Sequence, residues 1–239
     1  MKYLMDTHMH SIYSYDGQMT IEGIAKKSES LGLEAIAISE HLELDSISLK
    51  QFINRYKLYK EEIMRVQEMY PNLKILKAIE VGNPEKHEEE MHAIQELDLD
   101  YIIGSNHILT SDINAYYETI LRIAKQGLVD SIGHLDYIRR KYPDNPPYEL
   151  INQIFEAMVK NNITLEVNSS AKRRLHEEGF PKSEIIDLYL KTYDNRITIG
   201  SDAHRDYEIY DGINELDEAI EANKGYYLNR KFISIQNKK

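Results

Sequence analysis

Side chains that bind metal ions recur along this 239-residue chain at the ends of short apolar runs. His8 and His10 stand two positions apart, so in an extended segment both imidazoles can face one ion. Asp202 and His204 repeat that spacing near the other end of the sequence. The candidate ligands are His8, His10, Asp16, His41, Glu80, His107, His134, Asp202 and His204. Imidazoles and carboxylates without thiols suit divalent ions such as zinc, manganese or iron, so a site with several metals is predicted.

Each candidate ligand taken alone also has an ordinary explanation. Asp16 precedes Gly17, where a turn-forming Asp is common, and a single His can be a hydrogen-bonded loop or core residue. Glu80 follows an apolar stretch, where a buried carboxylate must meet a cation or else point to solvent. Its two oxygens could bridge two ions. Glu40, beside His41, is either a partner that supports a ligand or a solvated charge.

A repeating strand-then-helix pattern would position these residues. Strands are predicted at 2–5, 34–39, 73–81, 101–105, 128–133, 163–167 and 196–200. Helices are predicted at 20–31, 52–69, after Pro84, and at 116–124, 149–159, 183–190 and 213–222. Loops are predicted at 6–17, 139–148 and 169–182, and residues 226–235 are either a closing strand or a packed tail.

The alternation of strands and helices indicates parallel crossovers and an α/β fold. No linker rich in Ser, Gly or Pro divides the chain, so we expect a single domain over residues 1–239. Six of the nine histidines fall at strand ends, whereas His87, His92 and His176 do not. Carboxyl ends of parallel strands meet at one face of a barrel, so a TIM-like barrel with its metal site at that face is predicted.

Composition narrows the classes of function. The formal net charge of −11 argues against a large nucleic-acid-binding surface, because such surfaces use Lys and Arg to displace counterions. The net charge does not exclude a small anionic substrate, since bound cations can reverse the local charge. The absence of Cys excludes disulfides and a thiolate nucleophile. The sequence shows neither a signal core nor an apolar run of the ~18 residues a membrane span needs, so a cytoplasmic enzyme is expected; the oligomeric state is left open.

Seven short segments together resemble the PHP (polymerase and histidinol phosphatase) superfamily, most closely its histidinol-phosphate phosphatases. They are DTHMHS, SEHLE, AIEVGN, GSNHIL, IGHLD, LEVNSSAKRR and GSDAHR, in that order over residues 6–205. The resemblance implies a distorted seven-stranded (β/α) barrel that holds three divalent metal ions. By motif, the first ion would take His8, His10, Glu80 and Asp202; the second would share Glu80 and add His107 and His134; the third would take Asp16, His41 and His204. Asp16 stands where many members have His, and Ala171-Lys172 replace the family's Gly-Leu before Arg173.

The resemblance implies a phosphoric monoester hydrolase of histidine biosynthesis that converts histidinol phosphate into histidinol and phosphate. A hydroxide bridging two metals would attack phosphorus, with Glu80, Asp202 and His107 as catalytic residues and Arg173 and Arg205 binding the phosphate. The non-functional alternative for Arg173 and Arg174 is that they belong to a basic loop exposed to solvent.

Three other functions could use similar metal ligands. A nucleotide or oligonucleotide phosphoesterase could share the metal ligands, but a nuclease needs a track of basic and aromatic residues, which the sequence does not show clearly. An amidohydrolase commonly has a carboxylated Lys after strand four, where this chain has SNHIL. A non-catalytic module with structural metals is the third alternative, although structural sites are usually saturated by protein ligands.

Overall fold

The computed structural model describes residues 4–143, 146–175, 178–194, 196–216, 220 and 224–235. The strands are β1 Met5–Met9, β2 Ala35–Leu42, β3 Lys74–Gly82, β4 Tyr101–Ser105, β5 Ser131–Ile132, β6 Thr164–Asn168, β7 Ile197–Gly200, β8 Gly225–Leu228 and β9 Lys231–Ser234. The α-helices are α1 Ile21–Ser30, α2 Leu49–Met69, α3 Glu88–Gln95, α4 Ile113–Gln126, α5 Tyr148–Lys160, α6 Ser170–Leu175 and α7 Ser183–Thr192. Short 3-10 turns span Pro84–Lys86, Tyr137–Arg140, Asp206–Glu208 and Ile213–Glu215.

Strands β1 to β7 form one parallel sheet in sequence order. The sheet curls until its first and last strands meet: the Asp202 amide donates to the His8 carbonyl at 2.7 Å, and the His10 amide to the Ala203 carbonyl at 2.8 Å. Helices on the outside cover the strands, and most apolar side chains of the strands join the main core cluster. A second, smaller cluster contains Ala37, Leu76, Ala78, Tyr101, Ile103 and Tyr227. The predicted α/β, TIM-like barrel of seven strands is confirmed.

Capping residues mark the ends of several of the longer helices. Thr20 caps α1, as predicted, with its hydroxyl accepting from the Gly23 amide. Ser48 and Gln51 form a capping box at the start of α2. The buried face of α2 repeats every three or four residues and packs on the barrel. Helix α4 ends at Gly127, whose φ of 73° is readily adopted only without a side chain.

The C-terminal hairpin of β8 and β9 closes the N-terminal end of the barrel. The hairpin is a two-stranded antiparallel sheet of its own, so the interpretation of residues 226–235 as a closing barrel strand is wrong. The Tyr227 ring stacks on that of Tyr101, the first residue of β4, with centroids 5.2 Å apart. The Arg230 Nε lies 2.5 Å from Asp130 Oδ2, just before β5. The hairpin therefore lies at the end of the barrel opposite to the carboxyl end, where the metal site is predicted.

Four predicted elements differ most from the structure. Strand β1 lies at Met5–Met9 instead of 2–5, because Asp6 and Thr7 are polar but satisfied inside the barrel, where Asp6 Oδ1 accepts from the Ser201 amide at 2.9 Å. Strand β5 is only two residues long, and α6 occupies part of the predicted loop 169–182. The predicted helix 213–222 is a 3-10 turn over Ile213–Glu215, and residues 217–219 and 221–223 lie outside the described residues.

Within the described part of the chain, no helix combines the length and apolarity that a bilayer crossing requires. The single domain over residues 1–239 and the cytoplasmic location stay predictions.

Candidate metal centre

All nine predicted ligands lie at the carboxyl face of the barrel. His8, His41 and Glu80 stand within β1, β2 and β3, and the other six follow the strands by one to several residues. His41 and Glu80 are neighbours in the β2–β3 register. Parallel strands bring residues 194 positions apart, such as His8 and Asp202, to within 3.9 Å. The prediction that these side chains converge at this face is therefore met by the geometry.

Glu80 occupies the centre of the cluster, and its side chain is almost fully buried. Five imidazole nitrogens surround its two oxygens. Oε1 lies 2.8 Å from His134 Nε2 and 3.1 Å from His107 Nε2, and Oε2 lies 3.1 Å from His41 Nδ1, 3.3 Å from His8 Nε2 and 3.6 Å from His10 Nε2. The two oxygens thus face different sets of nitrogens, as a carboxylate that bridges two ions must.

The remaining ligands extend the cluster on both sides of Glu80. His8 and His10 approach to 3.0 Å between their Nε2 atoms, and Asp202 Oδ1 lies 3.4 Å from His10 Nε2. Asp16 lies between two imidazoles, 3.6 Å from His41 Nε2 and 3.3 Å from His204 Nε2. Three groups have potential ligand atoms all within 4.8 Å of one another: His10–His41–His204, His8–His10–Asp202 and His41–Glu80–His107. These overlap, so the division of ligands among ions stays a proposal.

The donor set fits divalent cations. Glu80 Oε2 and His41 Nδ1 are buried and make no aligned hydrogen bond, although they lie 3.1 Å apart. Burial alone would raise the pKa of Glu80, but His8 and His107 hold it well below its usual range. Burial and the neighbouring His41 keep the pKa of His10 well below 6.5. A carboxylate anion beside the neutral His10 imidazole is the protonation state in which both can ligate a metal. At His8, His41 and His107 metal binding would release protons, because burial is outweighed by neighbouring carboxylates, which raise the pKa values of these imidazoles.

The backbone at the site departs from ordinary conformations. His134 and Asp202 have positive φ angles of 27° and 55°. Such conformations cost non-glycine residues about 1 kcal/mol or more each and cluster at functional sites. Gly200 has no Cβ, and a Cβ there would lie 2.3 Å from that of His8. The two positive φ angles and the missing Cβ allow β7 to lie against β1.

Sequence reasoning missed two carboxylates that support the ligands. Glu166 is fully buried in β6, with Oε1 2.6 Å from His8 Nδ1 and Oε2 accepting from the His134 amide at 2.8 Å. Glu43 Oε1 lies 2.6 Å from His107 Nδ1. Such partners fix the orientation and basicity of a ligating imidazole. A charged residue inside the otherwise apolar strand ITLEV was the available signal for Glu166.

Glu40 proves to be a supporting partner and not a solvated charge. Its side chain is buried, and Oε1 and Oε2 accept hydrogen bonds at 2.5 Å from the hydroxyls of Ser11 and Ser14 respectively. The Ser14 hydroxyl also lies 3.2 Å from His10 Nδ1 and accepts from the His41 amide at 2.9 Å. Glu40 therefore supports two ligands through one serine.

Arginines line a cavity of about 540 Å³ that borders the cluster at Asp16 and His204, and we call it the arginine cavity. Its lining residues are Asp16, Arg140, Arg173, Arg174, His204, Arg205, Tyr207 and Glu208. Arg173 donates to the carbonyls of Ser201 and Asp202 at 2.7 and 3.2 Å, and Arg174 Nη2 lies 3.2 Å from Asp202 Oδ2. Arg205 Nη1 contacts Glu208 Oε1 at 3.4 Å. The predicted pair Arg173 and Arg205 thus stands at the site, together with Arg174, which the prediction had left out.

Comparisons with known proteins agree with this geometry. The family model described as PHP domain matches residues 6–170. A probable histidinol-phosphatase of Clostridium acetobutylicum is 28% identical over 228 residues, covering 84% of this chain and 86% of that protein. One of Thermotoga maritima is 27% identical over 246 aligned residues, covering 99% and 97%.

A solved structure shares the fold. It is the crystal structure of histidinol phosphate phosphatase from Lactococcus lactis, complexed with zinc, L-histidinol and phosphate. Its TM-score is 0.78 at 21% identity, with 96% of this chain and 98% of that chain covered. Because the PHP domain model spans well over half of the sequence and the ligand cluster sits where the matched motifs place it, this chain belongs to the PHP domain family.

Proposed function

We propose that this protein is a metal-dependent phosphoric monoester hydrolase, and that histidinol phosphate is the first candidate substrate. The observation that carries the proposal is the Glu80 carboxylate, enclosed by five imidazoles in a cluster that borders a cavity lined by arginines. The names of the Clostridium and Thermotoga relatives support histidinol phosphate as the substrate.

The residues that would hold three divalent ions follow the matched motifs. The first ion would use His8, His10, Glu80 and Asp202; the second would use Glu80, His107 and His134; the third would use Asp16, His41 and His204. Zinc is the first candidate because the Lactococcus lactis protein is described with zinc, while manganese and iron also suit nitrogen and oxygen ligands. When bound, such ions neutralise phosphate charge and acidify water enough to supply a nucleophile near neutral pH.

The arginines would bind and orient the phosphate. A guanidinium presents two parallel N–H groups that match two phosphate oxygens. Arg173 is tethered by backbone carbonyls through Nη2, and its side chain lines the arginine cavity, where it would meet the phosphate. Arg174 neutralises Asp202 from outside the cluster, and Arg205 would reach the phosphate from the other wall of the cavity. Glu80, Asp202 and His107 would act by holding the reactive centre in place.

Phosphate release by the purified, zinc- or manganese-loaded chain tests the proposal. We expect turnover of histidinol phosphate, with weaker turnover of mononucleotides and short oligonucleotides. The variant His204→Ala should lose activity, whereas His92→Ala should retain it, since His92 is exposed on α3, away from the cluster. Bound metal without phosphate release from any monoester would overturn the proposal and favour a non-catalytic module.

A further inference from the structure

Hydrolysis of an alkyl phosphate needs a proton for the leaving oxygen as well as a nucleophile, because an alkoxide is a strong base. The carboxylates that line the arginine cavity are engaged elsewhere. Asp16 lies between the imidazoles of His41 and His204. Glu208 accepts from the His204 amide at 2.8 Å and from the Arg205 amide at 3.1 Å. Among the described residues that line the cavity, no further carboxylate is present, so a proton donor of another type is needed.

The hydroxyl of Tyr137 accepts hydrogen bonds from two arginines of the cavity wall. Arg140 Nη1 donates to it, and Arg174 Nη1 donates to it at 3.1 Å. A guanidinium donates hydrogen bonds and cannot accept them, so neither contact uses the hydrogen of the phenol. In the described part of the chain this hydroxyl donates to no protein group. Its hydrogen is therefore available to a bound molecule.

Packing fixes the direction in which the Tyr137 ring points. The residue begins the 3-10 turn Tyr137–Arg140, and its amide donates to the His134 carbonyl at 2.9 Å. The centroid of its ring lies 5.0 Å from that of His134 and 5.6 Å from that of Phe180, which is fully buried. Because the ring is held on two sides, its hydroxyl can engage a substrate with little further loss of side-chain entropy.

The position of the Tyr137 hydroxyl suits the leaving side of the reaction. Arg174 links this hydroxyl to a candidate metal ligand, since Nη1 donates to the hydroxyl and Nη2 lies 3.2 Å from Asp202 Oδ2. In an in-line displacement, the nucleophile and the leaving oxygen lie on opposite sides of phosphorus. A nucleophile that comes from the side of the buried ligands would thus direct the leaving oxygen outward, toward the wall that Arg140 and Arg174 form.

We propose that Tyr137 is a catalytic residue, whose hydroxyl donates its proton to the leaving oxygen of the monoester. As the nucleophile bonds to phosphorus, the bond from phosphorus to the bridging oxygen breaks, and its electron pair stays on that oxygen. The proton of Tyr137 moves to the same oxygen and yields the alcohol, while Arg140 and Arg174 neutralise the phenolate that remains. The proton that the attacking water gives up restores the phenol. The inference rests on the proposed phosphatase activity.

A change of one substrate atom tests this role in the metal-loaded full chain. Sulfur in place of the bridging oxygen of histidinol phosphate makes the leaving group a thiolate, which is a far weaker base than an alkoxide. We expect Tyr137→Phe to lower kcat for histidinol phosphate by about 100-fold or more, the usual contribution of a general acid, and to leave kcat for the sulfur analogue nearly unchanged. 4-Nitrophenyl phosphate, whose leaving group is also a weak base, should behave like the sulfur analogue.

Calorimetric titration with inorganic phosphate separates proton donation from mere support of the two arginines. Tyr137→Phe should bind phosphate as the wild type does. Tyr193→Phe is the matched control, because it removes a phenol that donates to Asn152 Oδ1 at 2.8 Å on the outer helices, and it should change neither turnover nor binding.

Three results for Tyr137→Phe would overturn the proton donation while the phosphatase proposal stands. They are unchanged turnover of histidinol phosphate, an equal loss of turnover for the oxygen and sulfur esters, and a loss of phosphate binding as large as the loss of turnover. If the wild type releases phosphate from none of these esters, both proposals fail.

Discussion

At the scale of single residues, the site depends on the Glu80 carboxylate, because both of its oxygens face imidazoles. Glu80 Oε1 faces His107 and His134, while Oε2 faces the imidazoles of His8, His10 and His41. A buried carboxylate requires cations beside it. Bound metal ions would supply them, at one position for each of the two sets of nitrogens. The double contact explains why Glu80 follows an apolar strand without pointing to solvent.

Glu80→Gln keeps the shape of the side chain and removes its charge. We expect kcat/KM for histidinol phosphate to fall by more than about 100-fold and the bound metal per chain to decrease, because changes to residues that merely support ligands already cost about 10–100-fold. Steady-state kinetics combined with elemental analysis of the same preparation checks both effects. Glu29→Gln, on the exposed face of α1, should change neither. A variant with full metal content and wild-type kinetics would remove Glu80 from the centre.

Glu166→Gln tests the carboxylate that orients His8 and the His134 amide. The glutamine side chain retains an oxygen that can accept from the His134 amide, but it lacks the negative charge that raises the basicity of the His8 imidazole. We expect metal affinity to fall by about 10–100-fold with the fold intact, so activity should recover when excess metal is added. Activity titrated against free zinc measures the shift. A titration curve identical to that of the wild type would show that Glu166 is only a buried structural group.

At the scale of elements, opposite ends of the barrel serve different purposes. The carboxyl ends of the strands carry the ligands, whereas the hairpin of β8 and β9 packs against the strand starts. Asp130 is the main anchor of that hairpin, since Oδ2 accepts from the Ile102 amide at 2.8 Å and contacts Arg230 Nε at 2.5 Å. In barrels of this type the amino-terminal face governs stability and the carboxyl face governs chemistry. Changes at the hairpin should therefore separate the two properties.

Arg230→Ala should destabilise the fold without changing kcat of the folded enzyme. Burial raises the pKa of Asp130 above 3.8, and Arg230 opposes that rise. Without the guanidinium, the pKa of Asp130 in the folded state rises further. A carboxyl with a raised folded-state pKa loses stability as pH increases through that pKa, so the difference from the wild type should grow with pH. We expect a loss of about 2–3 kcal/mol at pH 8 and a smaller loss at pH 5, measured by urea unfolding.

A matched substitution separates this ion pair from general surface effects. Lys231→Ala removes a neighbouring exposed cation of the same hairpin and should cost little at either pH. If Arg230→Ala lost the same stability at pH 5 and pH 8, the contribution of the pair would not depend on the ionised Asp130.

At the scale of the whole molecule, sequence reasoning recovered the barrel and the ligand cluster because both depend on local patterns. Apolar runs of strand length predicted β4 without error, and a ligand at or just after the end of six of the seven runs located the face of the site. The prediction misplaced β1, since Asp6 and Thr7 interrupt the apolar pattern yet are buried. It named Arg173 and Arg205 through the family resemblance but did not place Arg140 and Arg174 beside them, because residues 140, 173–174 and 205 meet only when the barrel closes. Contacts between distant loops leave no periodic signal.

Metal removal should weaken the whole barrel as well as its activity. The ligands join the first strand to the segment after the last, as the 3.4 Å approach of His10 to Asp202 shows, so bound ions would cross-link the two edges of the sheet. A ligand that binds only the folded state at 1,000 times its dissociation constant adds about 4 kcal/mol. For a chain of this size that corresponds to about 8–16 °C in Tm.

We expect dialysis against a chelator to lower Tm by that order and to abolish phosphate release, with both restored by zinc or manganese. Calorimetric scans before and after chelation measure the shift, and elemental analysis verifies removal of the ions. An unchanged Tm after verified removal would show that the barrel closes through its backbone bonds alone, and activity in that state would refute metal dependence.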